Sequence, residues 1–292
     1  MVSIDYEHYK VYLNSKFNHQ YAKLIYTYSI KYQALLDNPA EIQNIAVSIR
    51  SNVLRALVNL AKYLGHYEEF KTSLKQYGIK WAVTDNSFTS FLAIVNNNHS
   101  TLGKWYNDAL AVLDDNEKLY LRYMVLSGLR KAEGIESFNL IIELAGKGKL
   151  SEYWNSNLGI LEHFKMLDTN GKHIFLRRTK NCYLSAITED LVKDIATSKY
   201  VYYTTIRKHL EKHKLTLRIK ELRSYYATYL RNNGIISELV DLLQGRIPKD
   251  VFCRHYLKIE DMQTLTSQVI GITSKMESSL LNPIVELPIT AT

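Results

Sequence analysis

The chain has 292 residues and carries 37 Lys and Arg against 29 Asp and Glu, which gives a formal net charge of +8. Hydrophobic residues make up 46% and charged residues 23%, proportions that are typical of globular proteins and exclude a wholly disordered chain. The positive charge favours a polyanionic partner, such as a nucleic acid or an acidic membrane surface.

Cys182 and Cys253 are too few for a disulfide framework or a cysteine-based zinc site, and they predict a reducing compartment. The sequence contains neither an apolar signal core at its N-terminus nor an apolar run as long as a bilayer is thick. We therefore expect a cytoplasmic protein that does not associate with a membrane.

Helical periodicity dominates the first third of the chain. Apolar residues recur at helical spacing from Ile42 to Leu64, and Gly65 follows where a helix commonly ends. The Asn-rich segment Val95–Leu102 is typical of a linker. With a length that suggests two domains, this pattern predicts a helical N-terminal domain over residues 1–96.

The second domain, residues 97–257, has a mixed pattern. Two short β-prone runs, His173–Leu176 and Cys182–Ile187, flank a basic segment and predict a β-hairpin with a basic tip. Helical patterns precede and follow it, and Pro248 is well placed to begin another helix. The fold class expected is mainly α with a small β-hairpin or sheet.

The tail, residues 258–292, contains apolar residues spaced as in an amphipathic helix. Two interpretations remain open for it. The tail is either a frayed terminus or an arm that docks on a neighbouring protomer.

Basic residues in four places, followed by a tyrosine, are the candidate functional residues. Arg130 follows a glycine at a predicted helix end, and Lys180 lies at the tip of the predicted hairpin. Lys220 and Arg223 are three residues apart and share a helical face. Arg246 follows another glycine, and Tyr256 lies ten residues further on. We find no nucleotide-binding glycine loop and no histidine spacing typical of a metal site, so we expect neither a cofactor nor a metal.

Three segments resemble the boxes of the tyrosine recombinases, the phage-type integrases. SGLRKAEG resembles their first arginine box, and KELRSYYATYLRNNG resembles the second. In the second box Lys-x-x-Arg replaces the usual His-x-x-Arg, as in integrases of archaeal viruses and plasmids, notably the fusellovirus type. LLQGRIPKDVFCRHYL is similar to the archaeal form of the last box, with Arg246 where most members have His or Trp. The resemblance covers roughly Glu117 to Leu257, whereas the N-terminal domain resembles the family only in size and helicity.

The resemblance implies a core-binding domain followed by a catalytic domain, and a set of site residues. The implied nucleophile is Tyr256, and Lys180 at the hairpin tip is the candidate general acid. Glu133 is expected to support Arg130 without touching DNA. The implied catalytic residues are Tyr256, Arg130, Lys180, Lys220, Arg223 and Arg246. Arginine suits such a site because its planar donors match phosphate oxygens.

Each of these residues also has a structural interpretation. Tyr256 is one of 22 tyrosines, and taken alone it is more typical of a packing residue. Lys172 is an alternative to Lys180 as the turn lysine, and Arg246 could simply cap a helix. A further basic run either follows a DNA backbone or forms a solvated helix face; it consists of Arg207, Lys208, Lys212, Lys214 and Arg218.

By this resemblance, the expected function is site-specific cleavage and rejoining of DNA through a 3′-phosphotyrosine intermediate. The family implies double-stranded attachment sites, a homotetramer on DNA with a Holliday-junction intermediate, and integration or excision of a viral or plasmid genome. The free protein is expected to be a monomer or a weak dimer. The alternatives are a type IB topoisomerase-like enzyme and a non-catalytic DNA-binding protein derived from an integrase.

Overall fold

The computed structural model describes residues 4–81, 101–177, 180–247 and 261–282. The chain divides into two compact units, residues 1–97 and 98–292. Helices dominate both units, and the second contains a small antiparallel sheet, which confirms the expected fold class. The helix expected to begin at Pro248 lies outside the described residues, as does Tyr256.

The described part of the first unit contains four α-helices: α1 (Tyr6–Lys16), α2 (His19–Tyr32), α3 (Val47–Leu64) and α4 (Tyr67–Gln76). The central helix, α3, buries residues such as Val53 and Leu57. It ends as predicted at Gly65, whose φ of +80° places it in the left-handed region. The predicted start at Ile42 is wrong. Residues Pro39–Asn44 form a 3₁₀ helix, and the extended backbone at Ile45 and Ala46 separates it from α3.

The second unit is built around one hydrophobic core. Its most buried helix carries Tyr120, Tyr123 and Met124, which are fully buried. This helix is α6. The described helices of the second unit are α5 (Leu102–Val112), α6 (Asp115–Ser127), α7 (Lys131–Gly146), α8 (Glu189–Ala196), α9 (Tyr203–Lys212), α10 (Ile219–Asn232), α11 (Ser237–Leu243) and α12 (Met262–Leu281).

The sheet of the second unit is antiparallel, with three described strands in the order β1 (Trp154–Asn155), β2 (Ile160–Leu161) and β3 (Ser185–Ala186). Trp154 lies opposite Leu161, and Ile160 lies opposite Ala186.

The predicted hairpin is only partly present. A single antiparallel bridge joins Leu176 to Asn181, and the Cys182 amide donates a hydrogen bond to the Phe175 carbonyl (3.0 Å). Beyond this point the two predicted strands separate. His173 pairs with Leu167, whereas β3 pairs with β2. We call the two paired segments, residues 175–177 and 180–182, the hairpin.

A chain of hydrogen-bonded polar side chains crosses the interior of the second unit. Ser137 Oγ lies 2.5 Å from Tyr123 Oη and 2.6 Å from Tyr153 Oη. Tyr153 Oη lies 2.6 Å from His163 Nδ1, and His163 Nε2 lies 2.9 Å from Ser185 Oγ. Because burial disfavours the charged imidazole, the pKa of His163 is lowered to about 3. This series of hydrogen bonds therefore joins α6, α7 and β3 through neutral side chains.

The tail differs from the expectation of an arm that docks on a neighbouring protomer. Residues 262–281 form α12, which packs against α5, α6 and α10 of the same chain. Its apolar stripe, including Val269 and Met276, is buried in the core of the second unit. Arg122 Nε on α6 also donates a hydrogen bond to Glu277 Oε1 (2.6 Å). Residues 283–292 lie outside the described part of the chain.

Across the described residues, the helices are either too short or too polar to cross a membrane.

Candidate functional site

Arg130 lies at the junction between α6 and α7. Gly128 ends α6 with a φ of +60°, in the left-handed region that favours glycine. A Cβ atom on Gly128 would lie 2.4 Å from the ring of Tyr226, so α6 and α10 approach each other too closely there for any side chain. After this turn, Arg130 adopts an extended backbone directly before the first residue of α7.

Glu133 accepts hydrogen bonds from two arginines. Arg130 donates from its backbone N to Oε2 (3.2 Å) and from Nη1 to Oε1 (2.7 Å). Arg177 donates from Nη2 to the same Oε1 (3.0 Å). The Glu133 side chain has no solvent exposure, whereas those of Arg130 and Arg177 are 26% and 47% exposed. This is the geometry expected of a residue that supports Arg130.

Arg223 is held by backbone carbonyls. Its Nη1 donates to the Gly128 carbonyl (2.7 Å) and its Nη2 to the Gln244 carbonyl (2.6 Å). Gln244 Nε2 donates in return to the Arg223 carbonyl (3.0 Å). These contacts fix the guanidinium between the ends of α6 and α11, and no carboxylate among the described residues bonds to it.

Neighbouring charges act on Arg223 as well. Burial is the largest cause that lowers its pKa, and the positive charges of Arg130 and Arg246 lower it further, to about 10, while Glu133 opposes them. That value is well above neutral pH, so Arg223 stays protonated. Arg223 bonds to Gly128, two residues before Arg130, and to Gln244, two residues before Arg246, so these three arginines from distant parts of the sequence belong to one cluster.

Gly245 brings the end of α11 against the hairpin. Its φ is +68°, and a Cβ atom there would lie 1.8 Å from the Asn181 carbonyl oxygen. The next residue, Arg246, is exposed and donates from Nη1 to Asp241 Oδ1 (3.2 Å). The backbone contact at Gly245 thus places Arg246 beside the base of the hairpin.

The hairpin places Lys180 next to the same cluster. The carbonyl of Asn181, the following residue, accepts a hydrogen bond from Arg130 Nη1 (3.1 Å). Lys180 itself is exposed. Lys172 lies in a separate exposed turn, where its amide donates to Asp168 Oδ1 (2.9 Å). Of the two lysines, Lys180 is therefore the one flanked by contacts to the arginine cluster.

Two predicted site residues, Lys220 and Tyr256, and the two cysteines remain to be placed. Lys220 is exposed on α10, three residues before Arg223. Cys182 is buried beneath the cluster; burial, and secondarily the charge of Glu133, raises the pKa of its thiol, so it stays protonated. The expected nucleophile, Tyr256, lies outside the described residues, as does Cys253.

Four of the five residues of the predicted DNA-binding run are exposed: Arg207, Lys208, Lys212 and Lys214. The fifth, Arg218, differs from them because its side chain is only 18% exposed. It donates from Nη2 to Glu221 Oε2 (2.6 Å) and from Nη1 to the Thr101 carbonyl (3.1 Å). Arg218 is therefore an internal contact of the second unit.

A group of potential metal ligands occurs elsewhere, at the start of α6. Ligand atoms of Asp114, Glu117 and His209 lie within 4.8 Å of one another. Hydrogen bonds account for this arrangement: Asp114 and Glu117 form a capping box, and His209 Nδ1 lies 2.6 Å from Glu117 Oε2. We therefore assign no metal to it.

Sequence reasoning missed Arg177 and the backbone contacts of Asn181 and Gln244. Arg177 does belong to the basic segment of the predicted hairpin, which was a usable signal. Contacts made through backbone carbonyls have no signature in residue types.

Residues 175–265 match the protein family described as archaeal phage integrase. No curated protein and no solved structure matches the chain. The match includes Lys180, Lys220, Arg223, Arg246 and Tyr256. It begins after Arg130 and Glu133, which the structure brings beside Arg223. It supports an integrase-family, tyrosine recombinase-like assignment, and with it an integrase role and DNA binding.

Proposed function

Starting from this integrase-family assignment, we propose that the protein is a site-specific recombinase that cleaves and rejoins DNA strands through a 3′-phosphotyrosine intermediate. The observation that carries the proposal is the arginine cluster. Arg130 lies outside the family match, yet it lies beside Arg223, which lies inside it. Among the described residues of this cluster, four guanidinium groups pair with only two carboxylates; the arginines are Arg130, Arg177, Arg223 and Arg246. A surplus of positive charge, of which Arg223 and Arg130 are partly buried, is suited to bind a phosphate.

The arginines of this site would stabilise the transition state of phosphoryl transfer. Charge builds on the non-bridging oxygens of the scissile phosphate as the nucleophile attacks. Fixed, desolvated donors stabilise this charge without having to reorganise. In phosphoryl transfer one arginine can contribute about 10³–10⁵ in rate. Arg130 and Arg223 would contact the phosphate, with Lys220 and Arg246 completing the site.

Tyr256 would supply the nucleophile. Its oxygen forms a bond to phosphorus as the bond from phosphorus to the 5′-oxygen breaks. The phenol proton passes to solvent, and the Lys180 ammonium gives a proton to the departing 5′-oxygen. A second 5′-hydroxyl then attacks the phosphotyrosine, releases the phenol and rejoins the strand. The reaction needs neither a metal nor an external energy source.

The remaining expectations concern the assembly. Exposed cations on α9 and just after it would follow the DNA backbone, and the first unit would form the core-binding domain. Four protomers would act on two attachment sites through a Holliday junction, in the cytoplasm of the host of an archaeal virus or plasmid. These elements rest on the family assignment and the net charge of +8.

A nicked suicide substrate tests the proposal, because loss of the short 5′ fragment traps the covalent adduct. We expect the wild type to form the adduct. Tyr256→Phe should abolish it while duplex binding stays within about twofold, because the phenyl ring keeps its volume and loses the attacking oxygen. Mass spectrometry of the DNA-linked peptide should identify Tyr256.

Tyr202→Phe is the matched control, because Tyr202 is 63% exposed and has no role in the proposed site. An adduct that persists in Tyr256→Phe would refute the assignment of the nucleophile. Duplex binding without any adduct in the wild type would favour a non-catalytic DNA-binding protein. Relaxation of any supercoiled plasmid by a monomer would favour the type IB topoisomerase.

A further inference from the structure

We propose that Arg177 is a positioning residue: it fastens the hairpin to Glu133 and so holds Lys180 at the leaving 5′-oxygen. The proposal rests on the proposed function, in which Lys180 is the general acid. Arg177 belongs to neither arginine box, and its place in the structure alone brings it to the site.

Both strands of the hairpin are held by the same pair of side chains. On the first strand, Arg177 donates to Glu133 Oε1 (3.0 Å). On the second strand, the Asn181 carbonyl accepts from Arg130 Nη1 (3.1 Å), and this same nitrogen donates to Glu133 Oε1 (2.7 Å). The bridge between Leu176 and Asn181 links the two strands to each other. Lys180 thus lies in the sequence between two anchored residues, Arg177 and Asn181.

The burial of Glu133 makes the anchor strong. Its carboxylate has no solvent exposure, so hydrogen bonds from charged donors are not screened by water there. Half of the Arg177 side chain remains exposed, so the anchor lies at the edge of the cluster, where the hairpin begins. Without Arg177, the hairpin would remain attached through Asn181 and the bridge to Leu176, while the end of the first strand that leads toward Lys180 would lose its anchor.

Such freedom would affect proton transfer more than phosphate binding. A general acid must come within hydrogen-bond reach of the atom that it protonates, and it contributes typically about 10²–10⁴ in rate. A displacement of about 1 Å can cost about 10²-fold. The phosphate would still be held by Arg130 and Arg223, whose contacts with Gly128, Gln244 and Glu133 do not involve Arg177.

A substrate with sulfur in place of the scissile 5′-bridging oxygen separates these effects, because a thiolate leaves without being protonated. The single-turnover cleavage rate is measured on the oxygen and sulfur substrates. On the oxygen substrate, Lys180→Ala and Arg177→Ala should each be slower by about 10²-fold or more. On the sulfur substrate, both should return to within about tenfold of the wild type. Arg223→Lys, which weakens the phosphate contact, should stay slow on both.

Duplex affinity and thermal melting check that each variant is folded, and Arg177→Gln replaces the alanine variant if that one does not fold. Arg177→Lys, which keeps a charged donor for Glu133, should recover part of the rate on the oxygen substrate. If sulfur restores Lys180→Ala but not Arg177→Ala, Arg177 acts on the phosphate and the present inference is refuted, while the proposed function stands. If Arg177→Ala cleaves the oxygen substrate at the wild-type rate, the inference is also refuted. If sulfur fails to restore Lys180→Ala, the general acid of the proposed function is itself wrong.

Discussion

At Gly245 two backbone segments that are distant in sequence lie in direct contact. The space for a Cβ atom is occupied by the Asn181 carbonyl, the same group that accepts the hydrogen bond from Arg130. The Gln244 carbonyl, one residue earlier, accepts from Arg223. A shift at this glycine would therefore disturb the acceptors of both arginines at once.

Alanine at position 245 should be costly for both stability and cleavage. We expect Gly245→Ala to lower the free energy of unfolding by about 2–5 kcal/mol, because left-handed strain adds to steric overlap. Gly148→Ala is the matched control: Gly148 has the same φ of +68°, with open space where its Cβ would be. It should cost about 1–2 kcal/mol and leave cleavage unchanged. Urea unfolding of both variants measures the difference, and equal losses would contradict the steric argument.

At the scale of single residues, the sequence predicted the cations of the cluster, because their residue types and their order along the chain are typical of a phosphate-binding site. Arg130 and Arg246 each come shortly after a helix-ending glycine, and Arg223 shares a helical face with Lys220, so all three belong to readable patterns. Arg177 did not stand out within a basic segment, because nothing in the sequence identifies which of the adjacent cations faces Glu133. The contact depends on how the hairpin packs against α7, which is a tertiary feature.

Among the elements, α12 is the one for which the structure differs most from what the sequence predicted. Its amphipathic pattern correctly predicted a helix, and Met262–Leu281 confirms it. The pattern could not identify the surface that the apolar stripe covers, because a stripe fits a neighbouring protomer as well as its own chain. Likewise, the second β-prone run of the predicted hairpin contains β3, but β3 pairs with β2, and the first run forms only isolated bridges.

If α12 is part of the core of the second unit, truncating a buried residue on it should destabilise the protein. Met276 is fully buried, and Met276→Ala should lower the free energy of unfolding by about 2–5 kcal/mol. Leu281→Ala on the same helix removes a 43% exposed side chain and should cost less than about 0.5 kcal/mol. Chemical denaturation compares the two. A core position that behaves like the exposed one would indicate that α12 is not docked on its own chain.

For the whole molecule, the distribution of charge decides how it would meet DNA. Arg207, Lys208, Lys212 and Lys214 are exposed on or just after α9, and Arg207 pairs there with Glu211 (2.7 Å). Arg218 is mostly buried and is engaged with Glu221 and Thr101. Sequence spacing placed all five on one basic run. Only the packing of α10 against the start of α5 separates the internal arginine from the exposed cations.

Salt titration of duplex binding can distinguish these two kinds of cation. Affinity should fall steeply with salt, and Lys208→Gln should reduce the slope of log K against log salt by about 1, as for one lost phosphate contact. Arg218→Gln should leave that slope unchanged, because its guanidinium already bonds within the protein. Equal effects of the two substitutions on the slope would contradict the assignment of the exposed cations to the DNA backbone.

The polar chain from Tyr123 through Ser137, Tyr153 and His163 to Ser185 has a consequence for how this interior can evolve. Each member bonds to the next, so replacing Tyr153 alone by phenylalanine removes the partner of the buried His163 Nδ1 and one of the two partners of Ser137. Loss of adjacent members together, with apolar groups of equal volume, is far milder. Descendants of this sequence are therefore expected to inherit these five positions as a set, or to exchange them in adjoining pairs.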